Sequence, residues 1–212
     1  MFGNKKENAS GGSSTTIITE CMNIEGNIKG CGTMHIDGTI RGDIYVEDAL
    51  IIGEKGKVIG TIRSKQVLVS GTIEGSLVCD TLEVTKTGHI SNDIKAKKVT
   101  SDGTLEASIL VEESINITDN GKVKASKMES KHVTVSGHVS GNIVATELLE
   151  VNKNGQTKGE MVVKKIKVAE GGLVLGTMLT YEASNSVRTV KENAEKKAEE
   201  VKSEVKTKED KK

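Results

Sequence analysis

Val67-Leu68-Val69-Ser70-Gly71-Thr72-Ile73-Glu74-Gly75-Ser76-Leu77 decides the fold, because close copies of it return along the chain. Val133-Thr134-Val135-Ser136-Gly137-His138-Val139-Ser140-Gly141-Asn142-Ile143 repeats it in residue type, and Met34-His35-Ile36-Asp37-Gly38 opens a further copy. The shared pattern is Gly-x-(Ile/Val)-x-(Gly/small)-x-aliphatic. It starts at Gly38, Gly56, Gly71, Gly88, Gly103, Gly121, Gly137, Gly155 and Gly172, in steps of 18, 15, 17, 15, 18, 16, 18 and 17 residues. A period of this size marks stacked similar units rather than a conventional globular domain.

The copies come in two forms. One has a short corner, as at Ser70-Gly71; the other has two extra residues before its glycine, as in Leu82-Glu83-Val84-Thr85-Lys86-Thr87-Gly88 or Leu149-Glu150-Val151-Asn152-Lys153-Asn154-Gly155. Glycines two repeats apart are 32 to 35 residues apart, so the larger unit holds two unlike turns. Asp, Asn, Ser and Gly at these corners suit left-handed backbone conformations. Between corners, apolar residues alternate with polar ones (Ile40, Ile44, Val46; Ile73, Leu77; Val139, Ile143), the mark of strands with one buried face. A coil that places each strand over its equivalent pairs the backbone in parallel and stacks the aliphatics in columns. The expected fold is all-β: a right-handed parallel β-helix, a triangular solenoid of about nine or ten turns. At a strand spacing of about 4.8 Å the rod is roughly 45–50 Å long. A left-handed hexapeptide helix keeps a strict beat of six, which these uneven steps do not.

Three irregularities stand out. Gly26 precedes Gly38 by 12 residues, which predicts a short or irregular first turn. Val168 to Gly172 uses the long corner where alternation calls for the short one. Gly121-Lys122-Val123-Lys124-Ala125-Ser126-Lys127 places a lysine where an aliphatic belongs, predicting a bulge or a weak turn.

Composition agrees with a narrow, regular interior. The 212 residues include three aromatics (Phe2, Tyr45, Tyr181), no Trp, no Pro and 23 Gly. Lys+Arg and Asp+Glu balance at 30 each, so no net field draws nucleic acid. Apolar runs such as Ala49 to Ile52 are too short to span a bilayer. Cys21, Cys31 and Cys79 are odd in number and lack CxxC spacing, so they read as small side chains near a core. The polar start Met1-Phe2-Gly3-Asn4-Lys5-Lys6 lacks the apolar segment of a secretory signal. Together these predict a cytoplasmic protein. Residues 1–15 read as a flexible tail, 16–182 as the β-helix core and 183–212 as a charged tail, disordered or partly helical, with Val187, Val190, Ala194, Ala198, Val201 and Val205 at loose helical spacing.

No catalytic, cofactor or metal site is expected. His35, His89 and His138 fall at outward strand positions, and none of the four histidines, His132 included, lies in a cluster of acids or cysteines. Gly30-Cys31-Gly32 lacks the third glycine and the helix of a dinucleotide site, and no phosphate-binding loop for nucleotide follows. Sugar cleavage or base stacking would need aromatic platforms. The competing reading is a hexapeptide-type left-handed β-helix acyltransferase, which places histidines between subunits.

The ends of the rod carry more information. Solenoids usually protect their end turns with a cap; here the first turn offers Ile17, Ile18, Met22, Ile24 and Ile28, and the last Leu173, Val174, Leu175, Met178 and Leu179. These ten residues are the expected polymer interface, through burial and through strand edges that template further pairing.

The runs Asp37 to Ile44 and Ser70 to Leu77, on a cap-free solenoid with polar tails, resemble the bactofilins, a family of bacterial polymer-forming cytoskeletal proteins. The resemblance covers about residues 16–180. It implies a right-handed β-helix that forms nucleotide-independent, non-polar filaments through contacts between like ends. It also implies a membrane-targeting start, matched by Met1, Phe2, Lys5 and Lys6, and hence a peripheral place at the inner face of the cytoplasmic membrane. Implied partners are the protein itself, that membrane and clients such as cell-wall-modifying enzymes, in cell shape, wall remodelling or motility. The chain departs from the family in its longer rod and in lacking proline, so the proline-rich tails common there have no counterpart.

Overall fold

A computed structural model describes residues 14–181 of the chain. Met1, Phe2, Lys5, Lys6 and the segment 183–212 lie outside the described residues.

Every pairing between strands is parallel, and each strand pairs with its equivalents one turn before and after it. One turn shows the plan: Thr33–Ile36, Thr39–Arg41 and Ile44–Val46 form faces 1, 2 and 3 of a triangle. The first turn is Thr15–Ile18, Asn23–Glu25 and Ile28–Gly30; the tenth ends with Ile166–Val168 and Leu173–Thr180. From Ile62 onward every strand but Ile166–Val168 has eight or more residues, as in Thr72–Val84 and Thr104–Ile117, because pairing continues around corners.

The register stacks like on like. On face 1, Ile18, Ile36, Ile52, Val69, Val84, Ser101, Ile117, Val135, Val151 and Val168 form one inward column. Ser101 is the exception. It is fully buried and its hydroxyl has no hydrogen-bond partner. On face 3, Ile94, Ile109, Met128, Ile143, Met161 and Met178 stack likewise. Aliphatics suffice because the triangle is narrow, and each side chain meets its equivalent above and below.

The alternation of corners between faces 1 and 2 holds through nine turns. Long corners (residues 19–22, 53–56, 85–88, 118–121 and 152–155) close with an amide-to-carbonyl bond such as Gly56 N–H to Gly53 O, 2.9 Å. Short ones (37–38, 70–71, 102–103 and 136–137) nest on the long corner before them. A Cβ on Gly71 would collide with the carbonyl oxygens of Gly56 and Gly53, and one on Gly137 with those of Gly121 and Thr118. The tenth turn breaks the rule as expected, with a second long corner at residues 169–172.

This corrects the role expected for the recurring glycines. None of the nine has a positive φ. They are glycine because the previous turn's carbonyls pass too close for a side chain. Left-handed backbone is concentrated instead at the corner between faces 2 and 3, where Gly42 and Gly75 have φ of 147° and 152°, with Gly32 and Gly171 the exceptions. Gly26 belongs to that second column, so its distance from Gly38 marks a different corner and not a short first turn. Asn92 takes φ 95° there, and Ala107 and Ala125 continue the column beside register shifts. The expected bulge is at Ser126-Lys127. Pairing skips from Ala125 to Met128, whose buried side chain fills the inward place that Lys127 would have taken.

Candidate assembly site

Both end turns are open on one side. Among the described residues, the strands of the first turn pair only with those of the second, and Ile166–Val168 and Leu173–Thr180 only with the turn beneath them. Each end therefore presents a row of backbone N–H and C=O groups without a ladder partner, over the cut face of the core.

The ten residues expected at these ends divide into two kinds. Ile18, Ile24 and Ile28 at the first turn, and Val174 and Met178 at the last, continue inward columns. Ile18 is buried; Ile24, Ile28 and Val174 are partly buried against the core; Met178 is 45% exposed. The others do not point into the core. Ile17 pairs in register with the outward His35 and is 65% exposed, and Met22 sits on a corner. Leu173 and Leu175 align with the exposed Gln156 and Lys158, and Leu179 aligns with Val162 on the outer side of face 3. They form an apolar collar around the last turn rather than its end face. Ile166 and Val168 belong to that end face and were not expected there; both continue face-1 columns.

Charge surrounds the first turn more than the last. An ion pair joins Lys55 to Glu20, and this hydrogen bond, with the Glu20 charge, raises the lysine above its ordinary range. Arg41 reaches Glu25 at 3.4 Å. The last turn has Leu173, Leu175, Met178 and Val168 exposed together, with Lys167 bound to Glu150 at 2.6 Å on its flank.

Elsewhere the surface offers little chemistry. The histidines lie on outer faces, but two of the four have acidic partners that the sequence reading did not give them: His35 bonds Asp37 at 2.9 Å and His132 meets Glu147 at 3.2 Å. His89 and His138 share the outward column of face 2. No group of three or more metal-ligating side chains occurs among the described residues. A shallow groove of about 780 Å³ follows the corner between faces 2 and 3, lined by residues such as Ser76, Asp93, Glu106 and Lys124. No cysteine or histidine lines it. Among the described residues no helix is long and apolar enough to cross a membrane.

A family model described as "Bactofilin: Polymer-forming cytoskeletal" matches residues 16–102 and, a second time, residues 96–178. The chain belongs to the bactofilin family. That family is structural, cytoskeletal and polymer-forming. The two matches also explain the length of the rod: each covers about five turns, and together they cover all ten. Their overlap contains Ser101, the one polar residue in its column of ten. The comparisons with curated proteins and with solved structures returned no match.

Proposed function

We propose that this bactofilin is a non-catalytic scaffold whose rods, coiled right-handedly, join end to end into nucleotide-independent filaments. The filaments lie along the inner face of the cytoplasmic membrane and position other proteins there. The observation that carries this reading is the pair of end turns, each with a strand edge unpaired among the described residues, beside a core that is partly buried at the first turn and half exposed at the last.

Magnitudes favour a joint made by backbone and side chains together. Covering half-exposed Met178, Val168, Ile166 and Val174 returns about 1 kcal/mol each. Each new ladder bond adds about 1 kcal/mol. Association costs an estimated 4–15 kcal/mol, so side-chain burial alone is marginal and a continued ladder decides the outcome.

Membrane attachment is assigned to Met1, Phe2, Lys5 and Lys6. Inserting Phe2 contributes about 1.5–3 kcal/mol and each lysine about 1 kcal/mol at an anionic surface. The sum corresponds to roughly millimolar affinity, too weak for one rod and ample for a filament with many tails. Negative-stain microscopy of purified protein without nucleotide tests the assembly: filaments of open-ended length are expected, and particles of one fixed size at every concentration would end the reading. Phe2→Ala is expected to release filaments from anionic vesicles without shortening them.

A further inference from the structure

The third corner of the triangle, between face 3 and the next face 1, has one or two residues per turn, and its charge alternates. Even turns carry acids: Glu47-Asp48, Asp80, Glu112-Glu113 and Glu147. Odd turns carry lysines: Lys65, Lys97, Lys131 and Lys164. From the second turn to the ninth, therefore, the ridge reads minus, plus, minus, plus without a break. Neighbouring rungs partly satisfy one another, with Lys65 on Asp48 at 3.0 Å and Lys97 on Asp80 at 2.8 Å. Both lysines are raised above their ordinary range by those hydrogen bonds first and by the aspartate charges second. Yet the ridge remains open to solvent, and among the described residues Glu47, Glu112, Lys131 and Lys164 make no ion pair.

An even number of alternating rungs has a symmetry property. Reversed end for end, the pattern becomes its own complement. Two rods laid antiparallel about a two-fold axis would set Glu47-Asp48 against Lys164, Lys65 against Glu147, Asp80 against Lys131, and Lys97 against Glu112-Glu113. Every contact then occurs twice, as an isologous interface requires. Rods laid parallel in register would oppose like charges instead. From the second turn to the seventh, the outer column of face 3, next to the ridge, shares the two-turn rhythm: Tyr45, Val78 and Leu110 stand exposed on even turns, with Arg63, Lys95 and Glu129 on odd ones.

We propose that this ridge is a lateral interface for a second copy of the chain, pairing rods side by side in antiparallel register. It is separate from the end-to-end joint, and its occupant follows from charge complementarity with itself. Exposed ion pairs are individually weak, so single rods pair only at low salt, whereas filaments repeat the ridge many times and bundle. Screening weakens the pairing because the Debye length shrinks from about 10 Å at 0.1 M salt to about 3 Å at 1 M.

Three ridge variants test this by electron microscopy and sedimentation at low and high salt. In the first, Lys65→Glu, Lys97→Glu, Lys131→Glu and Lys164→Glu make the ridge wholly acidic. In the second, each ridge acid is replaced by lysine. The third combines both sets, inverting every sign while keeping the alternation. The parent and the inverted variant are expected to bundle at low salt and separate at high salt. Each single-sign variant is expected to stay unbundled alone and to bundle when mixed in equal amounts with the other. Bundling by the acidic variant alone, or failure of a folded inverted variant to bundle, would overturn the proposal. If a single-sign variant does not fold, the inverted one still decides. Filament length is read separately, so loss of end-to-end joining cannot pass for loss of bundling; should rods fail to join at their ends, a salt-sensitive dimer in sedimentation remains the expected result.

Discussion

Met161 and Met178 are the same residue in the same column, one turn apart, paired in register on face 3. Met161 is fully buried and Met178 is 45% exposed. Nothing in their local sequence accounts for the difference. Met161 has a turn on each side, whereas among the described residues Met178 has one only. In a solenoid, burial is a property of position in the stack, so identical side chains are enclosed in the interior and half exposed at the end.

That contrast can be broken most forcefully at the methionines themselves. Met161→Asp buries a charge that has no partner, and a loss of about 4–5 kcal/mol is expected, seen as a collapsed thermal transition. Met178→Asp should leave the transition within a few degrees while abolishing end-to-end assembly in microscopy; equal damage to folding by the two would erase the distinction. The same comparison holds among glycines of the left-handed corner. Gly159→Ala adds a Cβ that collides with the Gly141 carbonyl, whereas at Gly26 in the first turn no atom lies within 4 Å. Both alanines bear the conformational penalty of about 1–2 kcal/mol, and Gly159→Ala about 1–3 kcal/mol more for the overlap. Chemical denaturation of the two variants reads the gap directly.

Ser101→Val runs in the other direction. It removes a buried hydroxyl with no partner and restores the column between Val84 and Ile117, so the unfolding free energy in the same denaturation experiment should rise by about 1–2 kcal/mol. The smallest effect is chemical. Cys79 is buried, and desolvation first, with the Asp80 charge second, pushes its thiol from 9.0 up to about 12. Cys21 and Cys31, by contrast, are exposed. Iodoacetamide at about pH 8.5 should label the first-turn cysteines and spare Cys79 until the rod unfolds. Because the unfolded thiol ionises first, Cys79 also lowers stability as pH rises from about 9 toward about 12, and Cys79→Ala should flatten that decline.

The coil and its two-turn unit were legible because glycines and corner lengths repeat at a fixed distance. The orientation of Ile17, Leu173, Leu175 and Leu179 was not. Inward and outward positions alternate along a strand, but corners of one, two or four residues reset the parity, so an apolar residue just beyond a corner does not announce its side. The reason for the recurring glycines was hidden too, since close approach to Gly56 or Gly121 depends on the neighbouring turn. Gly26 shows the cost of treating all glycines as one column, when two different corners each require them. The lysines at 65, 97, 131 and 164 carried a periodic signal as clear as the glycines, overlooked because charges between strands read as ordinary solvated corners.

The nesting of short corners on long ones makes the rod a ruler graduated in pairs of turns. Excising one interior turn would rest a long corner on a long one, or a short on a short, and would also set lysine beside lysine, or acid beside acid, on the charged edge. Excising two neighbouring turns would close the gap without a trace. The molecule's length can therefore change in strides of about 9.6 Å, and half a stride leaves a fault that every later turn inherits.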